Sequence, residues 1–327
     1  MPVARRHNLN GLSELILAIS KPGSMMLQSD VVEAMTTNES FFFRDKSPFE
    51  NFRKVMLPHL LEARKSRRSA RIWCAAASTG QEPYSLSMYL KEDKAKIGGF
   101  RFEILGTDIS NEVLEKARTG IYSQFEVQRG LPIQMLLKYF SQQGELWQMA
   151  PEIRAMVQWR KLNLLENFSH LGEFDIVFCR NVLIYFDQQT KIDVLNRIYR
   201  QLPDDGFLVL GAAETVVGLT DSFEPYPDLR GVYRKKQAAS RPTGSTNRVE
   251  RLRRNHPRHG LPFRHLRVAP ASRGDTTWRV SIVLAFFLRS RLPITRNSNP
   301  MRVNSSKSSS EFPFKFARVW LVLWSAG

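Results

Sequence analysis

Three short segments place small, charged or amide-bearing residues directly after apolar runs: Ala77-Ser78-Thr79-Gly80-Gln81-Glu82, Asp108 within Gly106-Thr107-Asp108-Ile109-Ser110, and Arg180-Asn181 after Cys179. Small residues in the first segment let a ligand approach the backbone at the carboxyl end of a parallel strand. Pro83 suits the first turn of a following helix, where its missing N–H costs nothing. The segment lacks G-x-G-x-x-G spacing, and a plain tight turn explains it equally well. Asp108, 28 residues beyond Gly80, can accept hydrogen bonds from both hydroxyls of a ribose. The competing role, capping the next helix, falls more naturally to Ser110. An arginine leaving a buried strand needs a counter-charge or solvent, so Arg180 alone reads as half of an ion pair with a nearby acid.

The apolar patterning supplies a scaffold for these residues. Residues 71–76 read as strand, 83–91 as helix, 102–107 as strand and 111–118 as helix, an alternation that predicts a parallel sheet. Residues 174–179 give a third strand and 187–202 a helix with Ile192, Leu195, Ile198, Tyr199 and Leu202 inward. A fourth strand follows at 207–210 and a last one at 231–234. Upstream, Leu9, Leu12, Leu15, Ile16 and Ile19, then Val31, Val32 and Met35, fall at helical spacing and predict a small helical unit. Residues 48–63, with Phe49, Phe52, Val55, Met56 and Leu60 on one face, predict an amphipathic helix leading into the main domain. Residues 146–149 and 156–161, broken by Pro151, predict a small antiparallel flap.

Composition narrows the function classes. The chain has 327 residues, 43% hydrophobic and 24% charged, which excludes a fully disordered, fibrous or disulfide-stapled chain. Its net charge of +17 invites a nucleic-acid reading, but residues 237–327 hold 17 Lys and Arg against three acids, Glu250, Asp275 and Glu311. That leaves +3 on residues 1–236, so the excess says little about what the folded part binds, and no nucleic acid is expected. The Arg-, Ser-, Pro- and Asn-rich tail reads as disordered. Cys74 and Cys179 sit in strand-like runs and read as free buried thiols of a cytoplasmic protein. No run reaches the roughly 18 apolar residues of a membrane span, so no membrane insertion is expected. His256, His259 and His265 lack a Cys or carboxylate partner nearby and do not make a metal site.

Near the N-terminus, Asn38-Glu39-Ser40-Phe41-Phe42-Phe43-Arg44 sets three aromatics between hydrogen-bonding side chains. Together with Ser78-Thr79-Gly80-Gln81-Glu82-Pro83-Tyr84-Ser85, Thr107-Asp108-Ile109-Ser110, Asn163-Leu164 and Phe178-Cys179-Arg180-Asn181-Val182-Leu183-Ile184-Tyr185-Phe186, it resembles the CheR family of chemotaxis receptor methyltransferases. The resemblance covers residues 9 to 236, and five blocks in order are far more specific than any one. It implies an α/β chain: a small all-α N-terminal domain (1–36), then a Rossmann-like S-adenosylmethionine-dependent methyltransferase domain (37–236) with a small β-subdomain at about 139–163. The tail, 237–327, lies beyond it.

By that resemblance Asn38, Ser40, Arg44, Glu82, Asp108, Asn163, Leu164, Arg180 and Asn181 line the cofactor site. Asp108 holds ribose, Glu82 faces the cationic methionyl end, and Asn163 with Leu164 borders the adenine. Arg44 and Tyr185 are the candidates for positioning the acceptor. The implied reaction transfers methyl from S-adenosyl-L-methionine to glutamate carboxylates on the cytoplasmic helices of methyl-accepting chemotaxis receptors, leaving S-adenosyl-L-homocysteine. A glutamate with pKa near 4.3 is already an anionic nucleophile, so no general base is required. Ser40 departs from the usual Thr, Gln81 from a common Glu and Ala76 from a common Gly; the second lowers negative charge near the sulfonium and the third narrows backbone clearance. The short turn Ser141-Gln142-Gln143-Gly144 points to an enzyme that works without a tethering receptor peptide; a monomer is expected. A non-catalytic cofactor-binding signalling module and a nucleic-acid methyltransferase remain the alternatives at this stage.

Overall fold

In the computed structural model, which describes residues 2–236, the alternation of strand and helix builds a seven-stranded sheet. The predicted disordered tail lies outside the described residues. In chain order the strands are β1 (Ser69–Ala75), β2 (Arg101–Asp108), β3 (Ile121–Ser123), β4 (Phe140–Gln143), β5 (Leu146–Met149), β6 (Val157–Lys161), β7 (Ile176–Cys179), β8 (Phe207–Leu210), β9 (Phe223–Pro225) and β10 (Val232–Lys235). The main sheet runs β6-β2-β1-β7-β8-β10-β9. Its first five strands are parallel, and β10 is antiparallel to both neighbours. From β1 the chain steps to β2 on one side and later to β7 on the other. The carboxyl ends of these strands therefore flank a topological switch point, where open α/β sheets bind ligands.

The period of two within each strand divides the core into layers on the two faces of the sheet. Ile72 and Cys74 of β1 join Phe178 and Val209 in one, while Trp73 and Ala75 join Val177, Cys179 and Leu208 in the other. Trp73 is fully buried and satisfies its indole by donating to Thr107 Oγ1 at 2.9 Å. Both cysteines are buried and unpaired, and burial pushes each thiol pKa up. Helix starts follow local chemistry. Ser110 caps Asn111–Thr119 by accepting from Val113 N–H, and Asp187 caps Gln188–Gln201 by accepting from Thr190 N–H.

Several expectations need correction. Residues 156–161 do not belong to the flap: β6 lies parallel to β2 as an edge strand of the main sheet, from Ile104↔Val157 to Asp108↔Lys161. Gly106 makes this possible, since a Cβ there would stand 2.5 Å from the Trp159 ring. The antiparallel sheet instead takes its third strand from β3, in the order β3-β5-β4, so it begins upstream of 139. The 48–63 helix is not uniform, because Phe52–Met56 forms a π-helical segment between Ser47–Asn51 and Leu57–Ala63. The sheet ends in a β9–β10 pair where one strand is expected.

At the N-terminus, Pro2–Arg6, Leu12–Ile19 and Met25–Met35 pack a small core of Val3, Leu15, Ile19, Leu27 and Val31. Leu12, predicted on its apolar face, is 46% exposed. Glu33 ties this unit to the sheet domain: its carboxylate accepts from Ser110 Oγ and, at 2.7 Å, from Asn111 N–H. No helix among the described residues is long and apolar enough to cross a membrane.

Candidate functional site

The carboxyl ends of β1, β2 and β7 open onto one cavity, closed on a further side by residues 35–40 and Arg44. Asn38, Ser40, Arg44, Glu82, Asp108, Leu164, Arg180, Asn181 and Tyr185 all line it, brought together from five separate stretches of chain. Asn163 is not among the lining residues. Its Oδ1 accepts from Leu165 N–H at 3.0 Å, which shapes the turn between Leu162 and Leu164, both of which do line the cavity. Gln81 is also absent from the lining: it is buried, and its Oε1 accepts from Thr79 Oγ1 at 2.9 Å.

Asp108 closes β2 with a carboxylate that is fixed by the backbone. Ser78 N–H donates to Oδ2 at 2.8 Å and Ser110 N–H to Oδ1 at 3.1 Å. A carboxylate has about four acceptor sites, so these amide bonds, with the Ile109 amide also drawn to it, leave room for a further donor. Burial pushes the Asp108 pKa up, against the pull of the Ser110 and Ser78 amides. The Ser78 amide reaches Asp108 because the strand exit turns through left-handed geometry, with Ala76 at φ 61° and Ser78 at φ 50°. Ser78 Oγ in turn donates to Asn38 O at 3.1 Å, joining the sheet to the segment that closes the cavity.

Arg180 holds the opposite wall. Its Nη1 donates to Glu82 Oε2 at 2.7 Å, and its Nη2 donates to Asp45 Oδ2 at 2.7 Å and Arg44 O at 3.0 Å. The guanidinium side chain is 2% exposed, so the counter-charges make its burial tolerable. Burial is the largest influence on Glu82 and raises its pKa, with Arg180 acting against it. Arg44 differs: its Nη1 donates to a neutral acceptor, Glu39 O, at 2.9 Å, beside the Phe41 ring.

Sequence reasoning missed Glu214. This carboxylate, 9% exposed, accepts from Asn181 N–H at 2.7 Å, Gly211 N–H at 2.8 Å and Ile184 N–H at 3.3 Å. It thereby fixes the turn after β7 that presents Asn181, at φ 59°, and Tyr185. The available signal was positional, an acid in the small-residue loop Gly211-Ala212-Ala213-Glu214 after the fourth strand. Met35, Thr36, Thr37, Ile109, Val182 and Phe186 also line the cavity without having been singled out. The combined lining offers buried carboxylate acceptors, an apolar wall from Ile109, Leu162, Leu164 and Val182, and a guanidinium at Arg44. Such a set suits a nucleoside bearing a charged amino-acid arm, with an anion alongside.

The family model described as CheR methyltransferase, SAM binding domain, matches residues 38–231. Chemotaxis protein methyltransferase Cher2 of Pseudomonas putida is 41% identical over 223 residues, 67% of this chain and 81% of the relative. Chemotaxis protein methyltransferase 1 of Pseudomonas aeruginosa is 42% identical over 236 residues, 71% of this chain and 85% of the relative. Its namesake in Vibrio cholerae is 39% identical over 226 residues, 68% and 81% respectively. A matching stretch that spans most of the sheet and every strand end facing the cavity shows that the chain belongs to the CheR methyltransferases, Rossmann-like enzymes that use S-adenosylmethionine.

Proposed function

We propose that this chain methylates glutamate side-chain carboxylates on the cytoplasmic helices of methyl-accepting chemotaxis receptors, acting as a monomer without a receptor tether. The observation that carries the reading is the pairing of Arg44 and Tyr185 in the lining of the cofactor cavity. Because the hydrogen bond of Arg44 goes to a backbone carbonyl, its charge remains available to an incoming anion. Glu82 is engaged by Arg180, and Asp108 by backbone amides. A carboxylate acceptor fits such a site because it is ionised at neutral pH and asks for no proton removal. An amine or hydroxyl acceptor would need a base.

S-adenosylmethionine, when bound, supplies an electrophilic methyl group on a cationic sulfur. Asp108 accepts the ribose hydroxyls with the lone pairs its amide donors leave free. Glu82 sets its carboxylate toward the methionyl end, Arg180 favours the charged form of that carboxylate against the effect of burial, and Leu164 borders the adenine with Asn163 shaping its turn. Asn38, Ser40 and Asn181 complete the polar wall. Arg44 orients the acceptor carboxylate and Tyr185 hydrogen-bonds it, so acceleration comes from positioning and from desolvating oppositely charged reactants. Incubating receptor-bearing membranes with the enzyme and cofactor, then mapping modified peptides by mass spectrometry, is expected to place the methyl group on glutamate. Methylation confined to lysine, arginine or copurifying nucleic acid would overturn the assignment.

A further inference from the structure

Beside the cavity lining, Arg129 is bound to Glu39, one of its residues. Arg129 follows the short helix Gln124–Gln128, and its Nη2 donates to Glu39 Oε1 at 2.6 Å. Its guanidinium lies 4.3 Å from the centroid of the Phe41 ring, and that of Arg44 lies 5.6 Å from the same ring. One aromatic side chain therefore carries two guanidinium groups, and Glu39, itself a lining residue, is drawn to the charge of both. The approach is built into the backbone. At Gly130, φ is 84°, and a Cβ would stand 2.1 Å from Phe42 O, so only glycine lets the Arg129 loop lie against residues 39–44. Both members of the ion pair remain accessible, with side chains 41% and 59% exposed.

We propose that Arg129 and Arg44 form a two-guanidinium mouth that recognises an acidic side chain of the substrate, and that Glu39 is an internal carboxylate which the substrate displaces from Arg129. This rests on the reading that the acceptor is a carboxylate. Glu39 bears the same functional group as the proposed acceptor and holds the position a glutamate would take on arrival. The Arg129 hydrogen bond, reinforced by its charge and that of Arg44, holds the Glu39 pKa below the usual range, so the competitor is ionised wherever the acceptor is. Exposed ion pairs are weak and exchange readily, which suits a contact that must open at each turnover.

The test uses the full chain and separates competition from bracing. Steady-state transfer to a purified receptor cytoplasmic fragment is expected to show Arg129→Ala raising KM by about tenfold, the loss of one charge-assisted contact, with the effect on KM rather than kcat. Arg129→Lys recovers part of the loss. Glu39→Gln is expected to lower KM, because it removes the competitor. If Glu39→Gln raises KM as Arg129→Ala does, the pair only braces the loop and the proposal fails. A second readout does not depend on receptors: with S-adenosylhomocysteine bound, N-acetylglutamate amide is titrated while the Arg129 Nε–H resonance is followed. A saturable shift, stronger in Glu39→Gln, supports the mouth even if the wild type leaves the receptor fragment unmethylated, an outcome that would sink the receptor assignment alone. No shift overturns the mouth whatever the fragment does.

Discussion

Replacing Arg180 with Met removes the cation shared by Glu82 and Asp45 while keeping most of the side-chain volume. The two bonds at 2.7 Å and the 2% exposure of the guanidinium identify a buried pair, and Glu82 is left with 12% of its side chain exposed. Breaking such a pair from one side costs about 3–5 kcal/mol, because the remaining charge stays buried without compensation. For a domain of this size the expected fall in Tm is roughly 6–20 °C. The loss must also depend on pH. Glu82 has a folded pKa raised by burial, so its protonated form stabilises the fold and that contribution is lost as pH rises through the folded value. Without the guanidinium the folded pKa climbs further, so the deficit relative to wild type is larger at pH 8 than at pH 5. Urea unfolding of the full chain at both pH values measures this. The double variant Glu82→Gln with Arg180→Met serves as a control that should recover part of the deficit. A deficit below about 1 kcal/mol, or one identical at the two pH values, refutes the argument that Arg180 offsets the burial of the Glu82 carboxylate.

Four further outcomes follow from the same geometry. Asp108→Ala should weaken S-adenosylmethionine binding by about 10- to 100-fold in calorimetry, the worth of hydrogen bonds to a charged acceptor; an unchanged Kd removes Asp108 from the ribose. Ala76→Gly should raise stability by about 0.5–1 kcal/mol in urea, since Ala76 sits at φ 61°; a loss would mean that the methyl group packs better than the backbone strains. Glu214→Ala strands three backbone donors and should cost about 2–3 kcal/mol together with cofactor affinity, and Glu214→Gln should restore part of both. Arg44→Ala should depress methyl transfer by about 100-fold or more with little change in Tm, as expected for a group that orients the acceptor carboxylate for in-line attack, and near-normal turnover would exclude it from the reaction.

The strand ends were legible because each combines a local apolar run with an immediate change of chemistry. Asp108 and Ser110 illustrate this: one ends β2 facing the cavity, the other accepts from Val113 N–H as the helix cap. Strand β6 was harder to place. Its residues alternate like any short strand, and its neighbour is decided by Gly106, 53 positions earlier than Trp159, whose missing side chain admits that ring. The partners of Arg180 were beyond local reasoning for the same reason, since Glu82 and Asp45 lie 98 and 135 residues away. Asn163 reaches the cavity wall through the turn it shapes. The turn it forms is local, and the cavity wall belongs to its neighbours Leu162 and Leu164.

The central claim is the chemical class of the acceptor, and it is tested most directly by incubating the enzyme with methyl-tritiated S-adenosylmethionine and receptor-bearing membranes, then exposing the labelled protein to mild base. The account predicts label released as volatile methanol, as a carboxyl methyl ester requires, and its loss in Arg44→Ala. Label that stays on the protein through base would mean a bond to nitrogen or to an ether oxygen, and would contradict the assignment of glutamate as the acceptor.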